Sequence, residues 1–530
     1  MGGARGLLPL LERVFGQSLR GSVGAGEVPI QAVGALTSKP YAFTSRSWEL
    51  KSVESVDVLD GVGSNVRIDT RGTEIMRVLP RLNEAVNEEW ISDKSRFSYD
   101  GLKRQRLTTP MVRINSGEFV SIGWEKVPFV LRNAVMNIER KYEGVGYEVH
   151  AIVGPYVEEE ALLTLRNLMY EKFPNGQVHL QEQAPAISTD FRENYKFNST
   201  IAGIEQSDAC LLIGTNPRKE APIINARIRK GVIHNGTVVA SVGCAMKLTY
   251  PHHHLGTSVS TLKEIADQKH PFCSVLDSAE RPSLVVSNRA LQRADGNAIF
   301  NFARTIADEF GMIKEDWDGF NVLHMGANTV GALDIGVADK YQGLRTVDSP
   351  TSPWQKTRIL FLLNADDLDN MELPDDCFVI YQGHHGDNGA SMADLVLPGA
   401  AYTEKAATFV NTEGRVQKTS VSFFPPGYGK SDADALKSLL GPVQETARDQ
   451  NTEATFEKIA PHLQKVGDIQ DSDRLFESGV SVDPEGRSAA ISSLPLAAPL
   501  DNFYMTDPIT RSSKVMAKCT RVIKEGNFDY

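Results

Sequence analysis

Beyond about residue 118, short uninterrupted apolar runs alternate with segments in which apolar residues recur at helical spacing. Runs that are apolar at every position are typical of strands buried on both faces of a parallel sheet. Helices are predicted between such runs, over 157–172 and 219–230. The alternation predicts βαβ units and a mostly parallel α/β architecture. The predicted strands span 147–153, 209–213, 237–242, 283–286, 320–324, 359–363 and 378–382.

The two ends of the chain follow different patterns. Residues 40–105 are rich in Arg, Asp and Glu and contain two short strand patterns, 65–69 and 74–78, which predict a small β-containing module. Residues 425–500 are polar and helix-like, as in a linker, and residues 501–530 end in a basic helical stretch.

The composition excludes some classes of partner. The 530 residues carry a net charge of −11, which argues against nucleic acid and anionic membrane surfaces as main partners. No apolar run approaches the roughly 20 residues that a membrane-spanning helix needs, so no direct membrane insertion is predicted. The five cysteines are too scattered for a CxxC pair, which favours structural thiols in a reducing compartment. They are Cys210, Cys244, Cys273, Cys377 and Cys519.

Four oxygen-bearing residues, Asp57, Asp60, Ser64 and Ser92, follow one another at x2, x3 and x27 spacing. Cysteines at such spacing form an iron–sulfur ligand set in some respiratory and molybdenum enzymes. Iron–sulfur clusters are held by soft thiolates, so the sequence predicts no cluster at these oxygen-bearing positions. The spacing alone carries little weight, because Asp and Ser are common residues.

A strand–turn–helix pattern at residues 209–230 contains the turn Gly214-Thr215-Asn216-Pro217. A helix start after such a turn can bind phosphate. The turn lacks the G-x-G-x-x-G pattern, however, and an ordinary βα connection is favoured.

Two groups of histidines are candidate chemical sites. His252, His253 and His254 would alternate between faces of an extended chain, so a surface or packing role is favoured over metal binding. His384 and His385 precede Asp387 in a Gly-rich loop after a predicted strand. An acid/base site and simple loop stabilisation both remain open for that pair. No nucleophile elbow, Walker loop or HExxH motif occurs in the sequence, which shows no catalytic machinery.

Longer motifs carry a specific resemblance. Residues 379–387 read VIYQGHHGD, and residues 393–405 read ADLVLPGAAYTEK. These runs resemble the largest peripheral-arm subunit of mitochondrial NADH:ubiquinone oxidoreductase, respiratory complex I, a branch of the molybdopterin-oxidoreductase superfamily. Further similar segments are 33–41, 87–94, 101–107, 212–218, 225–230, 410–415 and 503–507.

The resemblance implies a molybdopterin-oxidoreductase-like α/β fold, with mostly parallel sheets in βαβ units and a small β-containing N-terminal module. It divides the chain into four parts. Residues 1–40 resemble the tail of an iron–sulfur domain, 41–107 a vestigial 4Fe-4S module without ligands, 108–425 the molybdopterin-oxidoreductase-like domain, and 426–530 a helical linker and C-terminal tail.

The resemblance also gives expectations about cofactors. The family normally begins with a ferredoxin-like region that binds 2Fe-2S and 4Fe-4S clusters, and this chain is expected to lack it. Gln31 stands where the family has the last cluster cysteine of that region, so residues 1–19 resemble a domain remnant more than a mitochondrial presequence. Asp57, Asp60, Ser64 and Ser92 then become vestigial cluster positions. No catalytic residue, metal site or cofactor is expected on this chain, and the clusters are expected on a companion chain.

The function that the resemblance implies is that of a non-catalytic core subunit of the complex I peripheral arm, on the matrix side of the mitochondrial inner membrane. It would dock and shield a separate ferredoxin-like iron–sulfur chain beside the flavin-bearing NADH-binding subunit, and would support electron transfer only within the complex. One alternative is a molybdenum- or tungsten-dependent oxidoreductase of the same superfamily. Another is a scaffold unrelated to respiration that reuses the fold.

Overall fold

The structure, a computed structural model, describes residues 38–173, 176–182, 191–337, 354–368, 371–439, 492, 494–496 and 500–525. The strands, in chain order, are β1 Lys51–Val56, β2 Asn65–Arg71, β3 Glu74–Pro80, β4 Met111–Arg113, β5 Phe119–Ser121, β6 Glu148–Val153, β7 Gln177–Leu180, β8 Ala209–Ile213, β9 Val238–Val242, β10 His253–Gly256, β11 Pro282–Ser287, β12 Ile313–Lys314, β13 Trp317–Asp318, β14 Phe320–Leu323, β15 Thr357–Leu363, β16 Phe378–Gly383, β17 Leu395–Pro398, β18 Thr408–Val410 and β19 Val416–Lys418.

The α-helices, in chain order, are α1 Asp93–Phe97, α2 Val127–Lys141, α3 Glu159–Lys172, α4 Pro217–Glu220, α5 Pro222–Lys230, α6 Val259–Ala266, α7 Cys273–Asp277, α8 Asn288–Leu291, α9 Gly296–Glu309, α10 Thr329–Asp334, α11 Asn388–Met392, α12 Asp432–Leu439, α13 Pro508–Ser512 and α14 Lys514–Glu525. Short 3₁₀-helices lie at Ser47–Glu49, Ser98–Lys103, Trp124–Lys126, Arg192–Asn194 and Gly203–Gln206, and a π-helical turn lies at Gly231–Asn235.

Two sheets form the α/β body. One has five parallel strands in the order β10-β9-β8-β11-β14. The other has seven strands in the order β5-β4-β17-β16-β15-β6-β7, in which the strands from β17 to β7 are parallel. Helices α2, α3 and α12 contribute apolar residues to the core of the larger sheet, and α6 and α9 to that of the smaller one. The mixed α/β fold with mostly parallel sheets is therefore confirmed.

The predicted N-terminal module is a three-stranded antiparallel sheet of β1, β2 and β3. The predicted strands agree with the observed ones to within two residues at each end. The prediction of one helix over 219–230 was wrong, because the segment forms α4 and α5. Pro222 has no N–H to continue the first helix, and it forces Ala221 before it into an extended conformation with φ −146° and ψ 80°.

Several strands were missed because they are short or half-exposed. β5 is exposed at all three positions, and β10 is an edge strand with two exposed histidines. The linker-like character of residues 425–500 cannot be compared over 440–491, because those residues lie outside the described part of the chain.

Candidate functional site

The loop between β1 and β2 carries three of the four residues at cluster-like spacing, and all of them are buried. Asp57, Asp60 and Ser64 are each at most 3% exposed. The Asp57 N–H donates to the Ser64 carbonyl at 2.8 Å and closes the loop. The Asp60 carboxylate accepts from the Val62 N–H at 3.0 Å, so the loop is tied by its own side chains.

Ser92, the fourth position, is the N-cap of α1 and reaches the loop through Ser95. The Ser95 N–H donates to Ser92 Oγ at 3.0 Å, and the two hydroxyl oxygens lie 2.7 Å apart. Ser95 Oγ donates to Asp57 Oδ2 at 2.5 Å. The structure thus brings Asp57, Asp60, Ser64 and Ser92 together around one buried hydrogen-bond network, whereas Gln31 lies outside the described residues.

The electrostatics of this loop favour a protonated carboxyl. Burial, reinforced by the neighbouring Asp60 charge, raises the pKa of Asp57 to about 7. Burial also raises the pKa of Asp60, against the opposing effect of the Lys94 ammonium. Lys94 is 2% exposed and donates to Thr506 Oγ1 at 2.9 Å, which connects the network to the C-terminal segment.

His384 and His385 occupy a buried loop in which their ring Nδ1 atoms lie 2.5 Å apart. His385 Nε2 faces the Gly101 carbonyl at 3.0 Å, and the His384 carbonyl accepts from Arg106. Burial lowers the pKa of both imidazoles, that of His385 to about 3. Asp387 instead pairs with Arg511 at 2.6 Å. Of the two open interpretations, these contacts favour loop stabilisation.

A buried ion cluster, which the sequence analysis did not predict, is centred on Lys405. Lys405 Nζ contacts Glu158 Oε2 at 2.5 Å and Asp432 Oδ2 at 2.6 Å, and none of the three side chains is more than 4% exposed. Asn364 also donates to Asp432, at 3.0 Å. Burial raises the pKa of Glu158 to about 8, and the two carboxylates outweigh burial and raise the pKa of Lys405. Only the ADLVLPGAAYTEK motif, which contains Lys405, pointed to this region.

Carboxylates also gather at the carboxyl ends of the strands in the larger sheet. Asp366 and Asp367 follow β15, and Asp387 follows β16. Arg511 of α13 donates to Asp387 at 2.6 Å and to Asp367 at 2.9 Å, while Tyr381 donates to Asp366 at 3.0 Å. Burial raises the pKa of Asp366 to about 7. This crevice is where open α/β sheets bind ligands.

The remaining candidates carry little chemistry. His253 and His254 are exposed on the edge strand β10. Over the part of the chain that the structure describes, no three His, Cys, Asp or Glu side chains are grouped so that they could hold a metal ion. Within the same residues, no helix combines the length and apolar character required to cross a membrane. All five cysteines are free thiols.

Three family models match the chain. Residues 106–441 match molybdopterin oxidoreductase, and residues 476–519 match a C-terminal domain found in NADH-ubiquinone oxidoreductase. Residues 50–100 match the 4Fe-4S domain of the NADH-ubiquinone oxidoreductase NDSU1/NuoG-like family.

Similar proteins extend over almost the whole chain. The NADH-ubiquinone oxidoreductase 75 kDa subunit of Reclinomonas americana is 42% identical over 97% of this chain and 74% of its own length. The mitochondrial 78 kDa subunit of Neurospora crassa is 40% identical, over 98% of this chain and 68% of its own. The mitochondrial NADH dehydrogenase (ubiquinone) iron-sulfur protein 1 of Solanum tuberosum is 39% identical, over 97% of this chain and 67% of its own.

The match over residues 50–100 corrects the cofactor prediction. The sequence predicted no cofactor on this chain and no cluster at Asp57, Asp60, Ser64 and Ser92, but this segment matches a 4Fe-4S domain, which points to iron–sulfur binding here. The expectation that the chain lacks an iron–sulfur domain is likewise unsupported. The cofactor prediction failed because it considered only the residue types at four ligand positions, whereas the family model compares the whole of residues 50–100.

The side chains of the module do not themselves fit a thiolate-held cluster. Residues 50–100 contain no cysteine, and the four positions supply carboxylate and hydroxyl oxygens, whereas iron–sulfur clusters take soft sulfur ligands. The Asp57 carboxylate and the Ser92 hydroxyl are already engaged through Ser95. Family membership and local donor chemistry therefore disagree at this loop.

Proposed function

Because this chain belongs to the family of the 75 kDa subunit of NADH:ubiquinone oxidoreductase, we propose that it serves as a core subunit of the peripheral arm of that complex. It takes part in electron transfer from NADH to ubiquinone only within the assembled enzyme. The observation that carries this proposal is the identity of about 40% with the Neurospora crassa subunit over 98% of the chain.

The chain's own residues suit the role of a rigid support. The Lys405 cluster joins the segment before α3, the loop after β17 and the start of α12. The Arg106–Glu404 pair is bidentate, with N–O distances of 2.5 and 2.6 Å, and lies beside the His384 loop. Paired and hydrogen-bonded charges of this kind fix the relative positions of elements far apart in sequence. A support of fixed shape holds neighbouring redox centres in a low-dielectric environment, and such burial sets their potentials.

The molybdenum or tungsten alternative is not favoured by the residues in the crevice. A pterin cofactor carries phosphate, and the crevice presents three carboxyl groups. Asp367 and Asp387 pair with the chain's own Arg511, and Asp366 accepts from Tyr381. A small cavity at the end of β6, lined in part by Gly154 and Glu182, would be filled by roughly one water molecule. These groups do not fit an anionic cofactor, and no reaction step is assigned to one.

We further propose the neighbours and the location. The flavin-bearing NADH-binding subunit and a ferredoxin-like iron–sulfur chain are the proposed partners, on the matrix side of the mitochondrial inner membrane. The family resemblance supports these partners. The names of two relatives, which describe them as mitochondrial, support the location. Protease protection in mitochondria and mitoplasts tests the location. The chain is expected to be protected in both, and cleavage in intact mitochondria or in mitoplasts would contradict the matrix location.

The function is tested by purifying the complex through an affinity tag on this chain. The captured material is expected to oxidise NADH with a quinone acceptor, and mass spectrometry is expected to find the flavin subunit and a chain with the ferredoxin-like cysteines. Purification of the tagged chain without NADH dehydrogenase activity would contradict the proposal. Activity without a separate iron–sulfur chain would remove only the partner proposal.

A further inference from the structure

The order of strands in the five-stranded sheet reverses at β8. From β8 the chain proceeds to β9 and β10 on one side, and then to β11 and β14 on the other. In open parallel sheets, the carboxyl ends of the two strands that flank such a reversal form the crevice where ligands bind. In this chain the two ends are the turn Gly214–Asn216 after β8 and Ser287 at the end of β11.

The carboxylate of Glu220 lies at this position and is 1% exposed. Its Oε1 accepts from the Thr215 hydroxyl at 2.8 Å and from the Asn216 N–H at 2.5 Å. Its Oε2 accepts from the Ser287 hydroxyl at 2.6 Å. Donors from both sides of the reversal therefore converge on one pair of oxygens, which is how backbone and hydroxyl groups bind an anion.

Leu496 and Ala290 pack against the Gly214 turn. Leu496 is 1% exposed, its N–H donates to the Thr257 carbonyl at 2.8 Å, and its carbonyl accepts from the Cys244 thiol at 2.9 Å. A Cβ at Gly214, where φ is 57°, would come within 2.7 Å of the Ala290 Cβ. The turn can approach Ala290 this closely, with a positive φ, because residue 214 carries no side chain.

We propose that the reversal point is an oxyanion site that the chain fills with its own Glu220 carboxylate. The site suits a carboxylate-sized oxyanion, since Thr215, Asn216 and Ser287 supply three donors. Glu220 acts as a positioning residue that holds the end of β8 to the end of β11. Without its side chain, the same donors are expected to accept an exogenous small carboxylate such as formate.

Burial raises the pKa of Glu220, while the three donors and the charge of Arg289 act in the opposite direction. The hydrogen bonds therefore favour the ionised carboxylate. A donor lost from this set weakens the ionised form more than the protonated one. A loss of stability that depends on pH after removal of a donor therefore distinguishes an anion site from simple packing.

The principal experiment compares full-length wild type, Glu220→Gly and Glu220→Gln by thermal unfolding. Sodium formate is increased while sodium chloride keeps the ionic strength constant. The glycine variant is expected to melt about 5 °C or more below wild type, because buried donors lose their acceptor. Formate is expected to restore a large part of that loss saturably. Wild type and the glutamine variant, which fill the site, should show no such recovery. Absence of a saturable recovery in the glycine variant, or an equal response in all three proteins, overturns the proposal.

If the glycine variant does not fold, a second pair of variants tests the anion site. Ser287→Ala removes one donor to the carboxylate, whereas Ser283→Ala removes a hydroxyl on the same strand that donates to the Ala209 carbonyl at 3.2 Å. The Ser287 variant is expected to lose more stability at pH 8 than at pH 5, and the Ser283 variant to lose the same amount at both. Equal losses at both pH values for Ser287→Ala would show that its contact with Glu220 is only packing, and would overturn the proposal of an anion site.

Discussion

At the scale of single residues, the chain concentrates charge in its interior. Lys405, Glu158 and Asp432 form one ion cluster, and Asp57 and Asp60 lie near each other in a second buried loop, where Asp57 accepts from Ser95. An ion taken out of water is stable only when its partners compensate it. The loss of one partner is therefore more serious here than at a surface pair.

Lys405→Met should destabilise the protein by about 3–5 kcal/mol, because the buried carboxyl groups of Glu158 and Asp432 lose the ammonium that both contact. Urea unfolding at neutral pH measures this loss. Lys269→Met is the matched control. Lys269 is 72% exposed and pairs with Asp267 at 3.1 Å, so its removal should change stability by about 1 kcal/mol or less. Similar losses of stability for the two variants would show that the buried cluster contributes no more than an exposed ion pair.

Asp57→Asn is expected to stabilise the protein, and more so at high pH. The pKa of Asp57 is raised from 3.8 to about 7 in the folded chain. The folded state therefore binds the proton more tightly than the unfolded state, and stability is lost as pH rises from about 4 to 7. The stabilisation by the neutral amide should be about 2–3 kcal/mol larger at pH 8 than at pH 5.

Denaturant unfolding at the two pH values tests the Asp57 prediction. Asp316→Asn, in the exposed turn between β12 and β13, is the control and should give the same small change at both. A pH-independent effect of Asp57→Asn would mean that this carboxyl is not protonated in the way described.

At the scale of elements, the β1–β2 loop and the start of α1 form a preorganised cradle. The cradle is closed by the Asp57 N–H bond to Ser64 and by the Ser92 cap. We propose that Asp57, Asp60, Ser64 and Ser92 correspond to the ligand positions of the matched 4Fe-4S domain. The correspondence concerns geometry: the pairing of β1 with β2 and the start of α1 set the backbone positions from which the four side chains extend.

Cysteine at all four positions should therefore supply the thiolates that the cradle lacks. After anaerobic reconstitution with iron and sulfide, this variant is expected to bind more iron than wild type, with the charge-transfer absorption of a cluster. A control variant with the fourth cysteine at Ser52 instead of Ser92 should bind less, because Ser52 is exposed on β1 and its hydroxyl donates to Asp69 instead of facing the loop. Equal iron in the two variants would contradict the assigned correspondence.

At the scale of the whole molecule, the N-terminal module packs against the segment that joins β18 to β19 and against the end of β14. The Gly61 carbonyl accepts from the Thr412 N–H at 2.8 Å, and the Val62 carbonyl accepts from Asn411 at 2.8 Å. A Cβ at Gly61 would lie 2.3 Å from the carbonyl oxygen of His324, just after β14. The module and the body therefore share one packed interface and should unfold together.

Gly61→Ala should lower the stability of the whole chain by about 1–3 kcal/mol, because a backbone carbonyl cannot move aside as a side chain can. Gly386→Ala is the control, since a Cβ there would meet its nearest atom at 3.7 Å. Calorimetry should show one cooperative transition shifted to lower temperature. A separate early transition for the module alone would show that the interface is not shared.

The architecture was predictable where the chain is uniformly apolar. β8 was predicted at its observed bounds, because a five-residue buried run between polar segments has few alternatives. The break at Pro222 could have been predicted from proline geometry. The partners of buried charges could not, because Glu158 and Lys405 are 247 residues apart and no local pattern pairs them. The resemblance identified residues 41–107 as a vestigial 4Fe-4S module, but the prediction that this chain binds no cluster, which rested on four ligand positions, is contradicted by the match of residues 50–100 to a 4Fe-4S domain.

The separation of Glu158 from Lys405 has a consequence for biosynthesis. At an elongation rate of about 5–20 residues per second, the ribosome needs roughly 10–50 seconds to travel from one residue to the other. During that interval Glu158 has no cation to pair with, and the larger sheet, which also needs the later strands β15, β16 and β17, is incomplete until the loop after β17 has been synthesised. Translation products that stop before Lys405 would remain in that state permanently, and quality control should recognise them through the apolar surface of α3.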